Sequence, residues 1–173
     1  TNAYNLSFNS DGKEIYGITD LIRIFTNIKK SVLYISDPSG NYLNYVVKLG
    51  IEIPKNIYFI NFPHDYSELL KHVDCMIRNT TTDGDSISVK EALYFNTIVL
   101  ASNAIERPKG VQVYNSEKEL IYHINNIDNL DRTDIHVESA ENELINLYNT
   151  FLKRIKWYRC LERLLEIVSW YFL

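Results

Sequence analysis

The feature that most constrains this chain is a regular alternation of short apolar runs with amphipathic stretches. YNLSFN (4–9), SVLYIS (31–36), NIYFIN (56–61), VDCMIR (73–78) and TIVLAS (97–102) are rich in Val, Ile, Tyr and Phe and read as strands. Between them, ITDLIRIFTNI (18–28), YLNYVVKLG (42–50), YSELLKHV (66–73) and SISVKEALYF (86–95) carry apolar residues at helical spacing. VQVYN (111–115) reads as an edge strand and EKELIYHI (117–124) as one more helix. Strand, helix, strand at this rhythm implies right-handed crossovers and a parallel sheet covered on both faces.

The expected class is therefore α/β, a Rossmann-like parallel sheet with helices on both faces, plus a long C-terminal helical segment. The chain of 173 residues suits one domain, read here as 1–137, with the helical segment over 138–173. That segment places Leu147, Tyr148, Phe151, Ile155, Tyr158, Leu161 and Leu165 on one helix face. The expected use of this face is packing on the same domain or on an absent N-terminal one. The alternative is peripheral membrane contact, because Lys153, Arg154, Lys156, Arg159 and Arg163 interleave with aromatics. The chain opens TNAYNL, without a methionine, and reads as part of a longer protein.

Charge excludes some partners. A net charge of -4 argues against nucleic acid, whose binders carry a basic excess or stripe. Cys75 and Cys160 form no framework, and with no signal-like N-terminus the expected location is cytoplasmic. The peripheral alternative puts it at the inner face of the cell membrane. The four histidines are dispersed, and no metal is expected. His64 reads as an ordinary loop histidine.

Ligands of open parallel sheets bind outside the carboxyl ends of the strands. The most informative strand end is NTTTDGDSISVKE (79–91), where Asp83 and Glu91 bracket a glycine and a helix start. Gly84 permits close backbone approach or a positive φ. Asp85 or Ser86 can cap the helix, leaving the amides of Ser86, Ile87 and Ser88 to favour an anion such as a diphosphate. Glu91 lies along the same helix, where a carboxylate suits paired hydroxyls, and Asp83 would project from the loop into the same cleft. On spacing alone, a capped helix with a solvated acid is the favoured explanation of these residues.

DGDSISVKEAL followed by FNTIVLASNAIERPKGVQVY resembles the C-terminal, donor-binding half of glycosyltransferase family 4 (group 1) enzymes, which have the GT-B fold. Members have two glutamates separated by seven residues. Here those slots hold Asp83 and Glu91, followed by Ala92, with Gly84 in the glycine slot and Asn79-Thr80 in place of Pro-Ser. The resemblance spans about residues 4–125. It implies a nucleoside-diphosphate-sugar donor, with Glu91 on the ribose, Asp83 beside the sugar, and the Ser86–Ser88 amides at the diphosphate. Asn61 and Phe62 would line the base, and Ser10, Lys13, Arg78, Thr80, Gly84 and Asp85 would complete the donor site. No cofactor or metal is implied. A saccharide or lipid-linked acceptor would dock on the absent N-terminal domain.

The chain departs from the family pattern near SFNSDGKEIYG. Tyr16 stands before Gly17 where a lysine is expected, and the expected arginine has no counterpart, so Lys13, Arg78 or Arg107 would supply the charge. The resulting expectation is the donor half of a retaining glycosyltransferase of polysaccharide or glycoconjugate synthesis, inactive by itself. The alternatives are a catalytically degenerate nucleotide-sugar-binding domain and a GT-B sugar-nucleotide epimerase.

Overall fold

The structure is a computed structural model that describes residues 1–84, 86–130, 145–150 and 153. The chain divides into two compact units, Thr1–Val137 and Glu138–Leu173. Of the second, residues 145–150 and 153 are helical, and the rest of the expected helical segment, like Asp85, lies outside the described residues.

The first unit runs α1 (Ile18–Thr26), β1 (Leu33–Ser36), α2 (Asn41–Lys48), β2 (Ile57–Ile60), α3 (Tyr66–Leu70), β3 (Cys75–Arg78), α4 (Ile87–Tyr94), β4 (Ile98–Ser102), β5 (Val111–Tyr114) and α5 (Glu117–Asn125). β1 pairs with β2, and β3, β4 and β5 pair in that order. Every pairing is parallel, and β5 lies at an edge. The expected α/β class is met.

Two core clusters show that both faces are covered. Ile77, Ile98 and Leu100 pack with Leu21, Phe25, Leu120 and Ile124 of α1 and α5. Their strand neighbours Met76, Val99 and Ala101 point the other way, against Leu70 of α3 and Val89 and Ala92 of α4. Adjacent strand residues thus serve opposite layers, which is why these runs are apolar throughout instead of alternating.

One strand is not where the apolar pattern put it. Residues 4–9 form no strand; Asn2 makes a parallel bridge to Ser36, and Phe8 an antiparallel bridge to Glu14. The chain turns because Asn9 accepts from the backbone amides of Asp11 and Lys13, closing a hairpin through Gly12 at φ 74°. Phe8 is left partly exposed, edge-on to Tyr45 at 5.6 Å.

α1 begins at a point that joins the hairpin to β3. Gly17, at φ 55°, precedes it, and its carbonyl accepts from Asn79 Nδ2 at 3.0 Å. Tyr114 Oη donates to Asn79 Oδ1 at 2.7 Å, so β5 fixes the same amide. A Cβ on Gly17 would lie 2.5 Å from Asn79 Nδ2 and 2.7 Å from its carbonyl oxygen. Gly17→Ala should therefore cost about 2–4 kcal/mol, from left-handed strain plus the clash, measured by urea unfolding.

Candidate functional site

The carboxyl ends of β3 and β4 converge on one carboxylate. Arg78 grips Asp83 with two bonds, Nε to Oδ2 at 2.9 Å and Nη2 to Oδ1 at 2.8 Å. Arg107, from the loop after β4, adds Nη1 to Oδ2 at 2.8 Å. Thr80 Oγ1 donates to Oδ2 at 3.3 Å and the Gly84 amide to Oδ1 at 3.1 Å. The side chains of Arg78, Arg107 and Asp83 are 10%, 2% and 6% exposed, so this is a buried, charge-assisted network. Burial alone would raise the Asp83 carboxyl pKa, but the two guanidiniums hold it down at about 2.

This corrects the expectation that Asp83 projects into an open cleft. Both its oxygens are spent on arginines. Arg78 and Arg107 do come together, as candidate replacements for the missing basic residues, and two guanidiniums share one carboxylate. Arg107 is further fixed by donating from Nε to the Ser102 carbonyl at 3.0 Å and from Nη2 to Thr80 Oγ1 at 3.2 Å. Ser102 Oγ in turn donates to the Thr80 carbonyl at 2.6 Å.

Tyr16 gains a role that the sequence did not disclose. The Arg78 guanidinium lies 5.1 Å from the Tyr16 ring centroid, so an aromatic face occupies the expected lysine position and supports a cation. Arg78 Nη1 also donates to Asn2 Oδ1 at 3.3 Å, and Ser88 Oγ reaches the same oxygen at 3.4 Å. Asn2 thus links Arg78 to the first turn of α4. Nothing in local sequence marks Asn2 for this, since it lies 76 positions from Arg78.

α4 starts at Ser86, whose side chain makes no capping bond and instead pairs with Ser88 Oγ at 3.0 Å. The Val89 amide donates to the Ser86 carbonyl at 3.2 Å, whereas the amides of Ile87 and Ser88, at the very start of the helix, have no acceptor inside it. Glu91 lies further along it, half-buried, and among the described residues its carboxylate has no hydrogen-bond or ion-pair partner. Gly84 has neither a positive φ nor any atom within 4 Å of a would-be Cβ, so the conformational reason expected for this glycine is absent.

The remaining candidates stand apart. Ser10 and Lys13 sit on the exposed hairpin tip, and among the described residues no hydrogen bond or ion pair joins them to Arg78, Asp83 or α4. Asn61 and Phe62 are exposed after β2. Their loop is tied back to β1 by His64, whose Nε2 pairs with Ser36 Oγ at 2.9 Å and whose Nδ1 pairs with the Phe62 carbonyl at 2.7 Å. The described residues contain no cluster of three or more His, Cys, Asp or Glu able to hold a metal ion. None of their helices is long and apolar enough to cross a membrane.

Among solved structures, HepE of Anabaena, crystallised with UDP-glucose, is similar at 18% identity and a TM-score of 0.56 over 77% of this chain. The apo lipopolysaccharide outer core galactosyltransferase WaaB is similar at 15% identity and a TM-score of 0.53 over 73%. The fold is that of a GT-B Rossmann-like domain. This chain spans only 40% and 38% of those two proteins. No protein-family model and no curated protein matches it.

Within this GT-B-like domain, Asp83 has a stability consequence. Its folded pKa, about 2, lies below the ordinary 3.8, so the folded state holds fewer protons than the unfolded state between those values. The stabilisation, about 2 kcal/mol, is present above pH 4 and is lost as pH falls through 2. Asp83→Asn should cost about 3–5 kcal/mol at pH 7, because it strands two guanidiniums, and should flatten the acid limb of the stability profile. Urea unfolding of both proteins from pH 2 to 7 measures both effects.

Proposed function

We propose that this chain is the donor-binding half of a retaining glycosyltransferase, using a nucleoside-diphosphate sugar and transferring the sugar to an acceptor hydroxyl. The observation that carries the proposal is the arrangement along α4. A helix start whose N-cap residue, Ser86, makes no capping bond is tied through Asn2 to Arg78, and half-buried Glu91 follows on the same helix without a partner among the described residues. In this reading the diphosphate takes the first-turn amides of α4, where the helix dipole and the charge of the arginine pair both favour an anion. Glu91 accepts hydrogen bonds from the ribose hydroxyls. Positive charge and amides fixed in advance stabilise the departing diphosphate without reorganising.

Asp83 acts in this scheme as a positioning residue for Arg78 and Arg107. HepE was crystallised with UDP and with UDP-glucose, which makes a uridine nucleotide the first donor to test. The acceptor, a saccharide or lipid-linked glycan of polysaccharide or glycoconjugate synthesis, would be held by a further domain. The enzyme would work in the cytoplasm, free or against the inner membrane face, and need no metal.

A second reading is a domain that binds the nucleotide sugar without catalysis. It is favoured by one observation: the carboxylate in the sugar-side slot is consumed by Arg78 and Arg107. Transfer assays on the chain joined to its acceptor-binding domain separate the two, since turnover sinks the second reading.

Thermal unfolding with UDP, GDP, ADP and their sugars tests donor binding. A nucleotide at a hundredfold excess over its Kd should stabilise the folded state by about 2.7 kcal/mol. Glu91→Ala should abolish most of that gain while leaving unliganded stability within about 0.5 kcal/mol, as for a substitution that breaks no buried contact. Absence of a shift with every nucleotide would count against the proposed site.

A further inference from the structure

Tyr66 is the first residue of α3, whose start Asp65 fixes by accepting from the Ser67 amide at 2.8 Å. Like the start of α4, this turn follows the loop at the carboxyl end of a strand, here β2. The Tyr66 ring is partly buried and packs on the cluster that contains Val89 and Ala92 of α4. Those two residues stand on either side of Glu91 in the sequence, so the ring is held against the part of α4 that carries this acid.

Packing accounts for the ring but not for its hydroxyl. Among the described residues the Tyr66 hydroxyl makes no hydrogen bond, whereas that of Tyr114 is spent on Asn79 at 2.7 Å. Burial, the largest influence on the phenol, raises its pKa; the charge of Arg78 lowers it, and that of Glu91 raises it. A hydroxyl that feels both charges lies near both side chains, and at neutral pH it keeps its proton and can donate. A donor so placed without an acceptor costs stability, and an incoming acceptor would recover that cost.

The chemistry of a ribose supplies the acceptor. A carboxylate such as Glu91 only accepts, so a hydroxyl bound to it gives up its proton and keeps its lone pairs. Those lone pairs need a donor close to Glu91. Arg78 is committed elsewhere, with Nε and Nη2 on Asp83 and Nη1 on Asn2. Tyr66 has no such commitment among the described residues. We propose that Tyr66 is a specificity-determining residue of the donor site, its hydroxyl donating to a ribose hydroxyl whose own proton goes to Glu91. The inference rests on the donor-site reading given above and adds to it a preference for ribonucleotides over their deoxy forms. A site that hydrogen-bonds a substrate hydroxyl from both sides discriminates against the analogue that lacks it, because its own polar groups are then left unpaired.

The test is calorimetric titration of the 173-residue chain and of Tyr66→Phe. UDP, GDP and ADP are compared first, and the tightest binder is then compared with its 2′-deoxy and 3′-deoxy forms. Phenylalanine keeps the ring and its packing, so the unliganded Tm should stay within about 2 °C of the native value. The substitution should weaken the ribonucleotide by about threefold to tenfold, the worth of one hydrogen bond. For one of the two deoxy forms, already weaker on the native protein, it should change affinity by less than about twofold, since hydroxyl and Tyr66 act as a pair. Unchanged ribonucleotide affinity in Tyr66→Phe, or an equal loss for the ribonucleotide and both deoxy forms, would overturn the assignment of Tyr66 and leave the donor site standing. Binding of none of the three nucleotides to the native chain would overturn the donor site and this assignment with it.

Discussion

The strand-end architecture of this domain depends on one ionised carboxylate, Asp83, lying between Arg78 and Arg107. Three separate pieces of chain meet there: the end of β3 with its following loop, the loop after β4, and the N-terminal segment through Asn2. Two guanidiniums this poorly exposed could not be accommodated together without a counter-charge, because each pays a desolvation cost that only close pairing offsets. The carboxylate is one methylene shorter than the glutamate of the resembled family. The short arm keeps it within its own loop, where the Gly84 amide and Thr80 hydroxyl complete its hydrogen bonds.

This arrangement distinguishes two helix starts that could each attract an anion. At α1, Glu14 already supplies one: its carboxylate accepts from Thr19 N at 3.2 Å and from Thr19 Oγ1 at 2.6 Å. A ligand phosphate there would meet a fixed negative charge. At α4 the Ser86 side chain makes no capping bond, and among the described residues the charged side chain linked to this start through Asn2 is an arginine. Among the described residues, the charges at the two starts thus favour α4 over α1 for an incoming anion. The substitution of Tyr16 for an expected lysine fits the same division, since it shifts the cationic contribution from the α1 side to Arg78.

The sheet, its helices and its parallel sense were legible because each apolar run is short, flanked by turn residues and followed by a helical period. The run at 4–9 misled for a physical reason. Its composition is that of a strand, but Asn9 offers two backbone amides an acceptor, and the hairpin it closes outcompetes pairing. At Gly84 one of the two readings fails, because the backbone there has no conformational need for a positive φ. The glycine that does have one, Gly17, is set by Asn79, 62 positions away, and no local pattern records that distance.

The acid pair shows the limit most plainly. Asp83 and Glu91 are defined by one spacing, and a spacing specifies only their positions along a loop and a helix. It says nothing of which charges the rest of the chain brings to each. Arg78 is a neighbour in sequence, but Arg107 arrives from beyond β4, and their combined pull turns Asp83 inward while Glu91 stays unpaired among the described residues. Two carboxylates eight positions apart thus acquire opposite work: one holds a buried positive pair in place, and the other has no partner among the described residues. A ligand that offers hydroxyls to Glu91 and an anion to the start of α4 would meet both remaining demands of the helix, and a nucleoside diphosphate offers both.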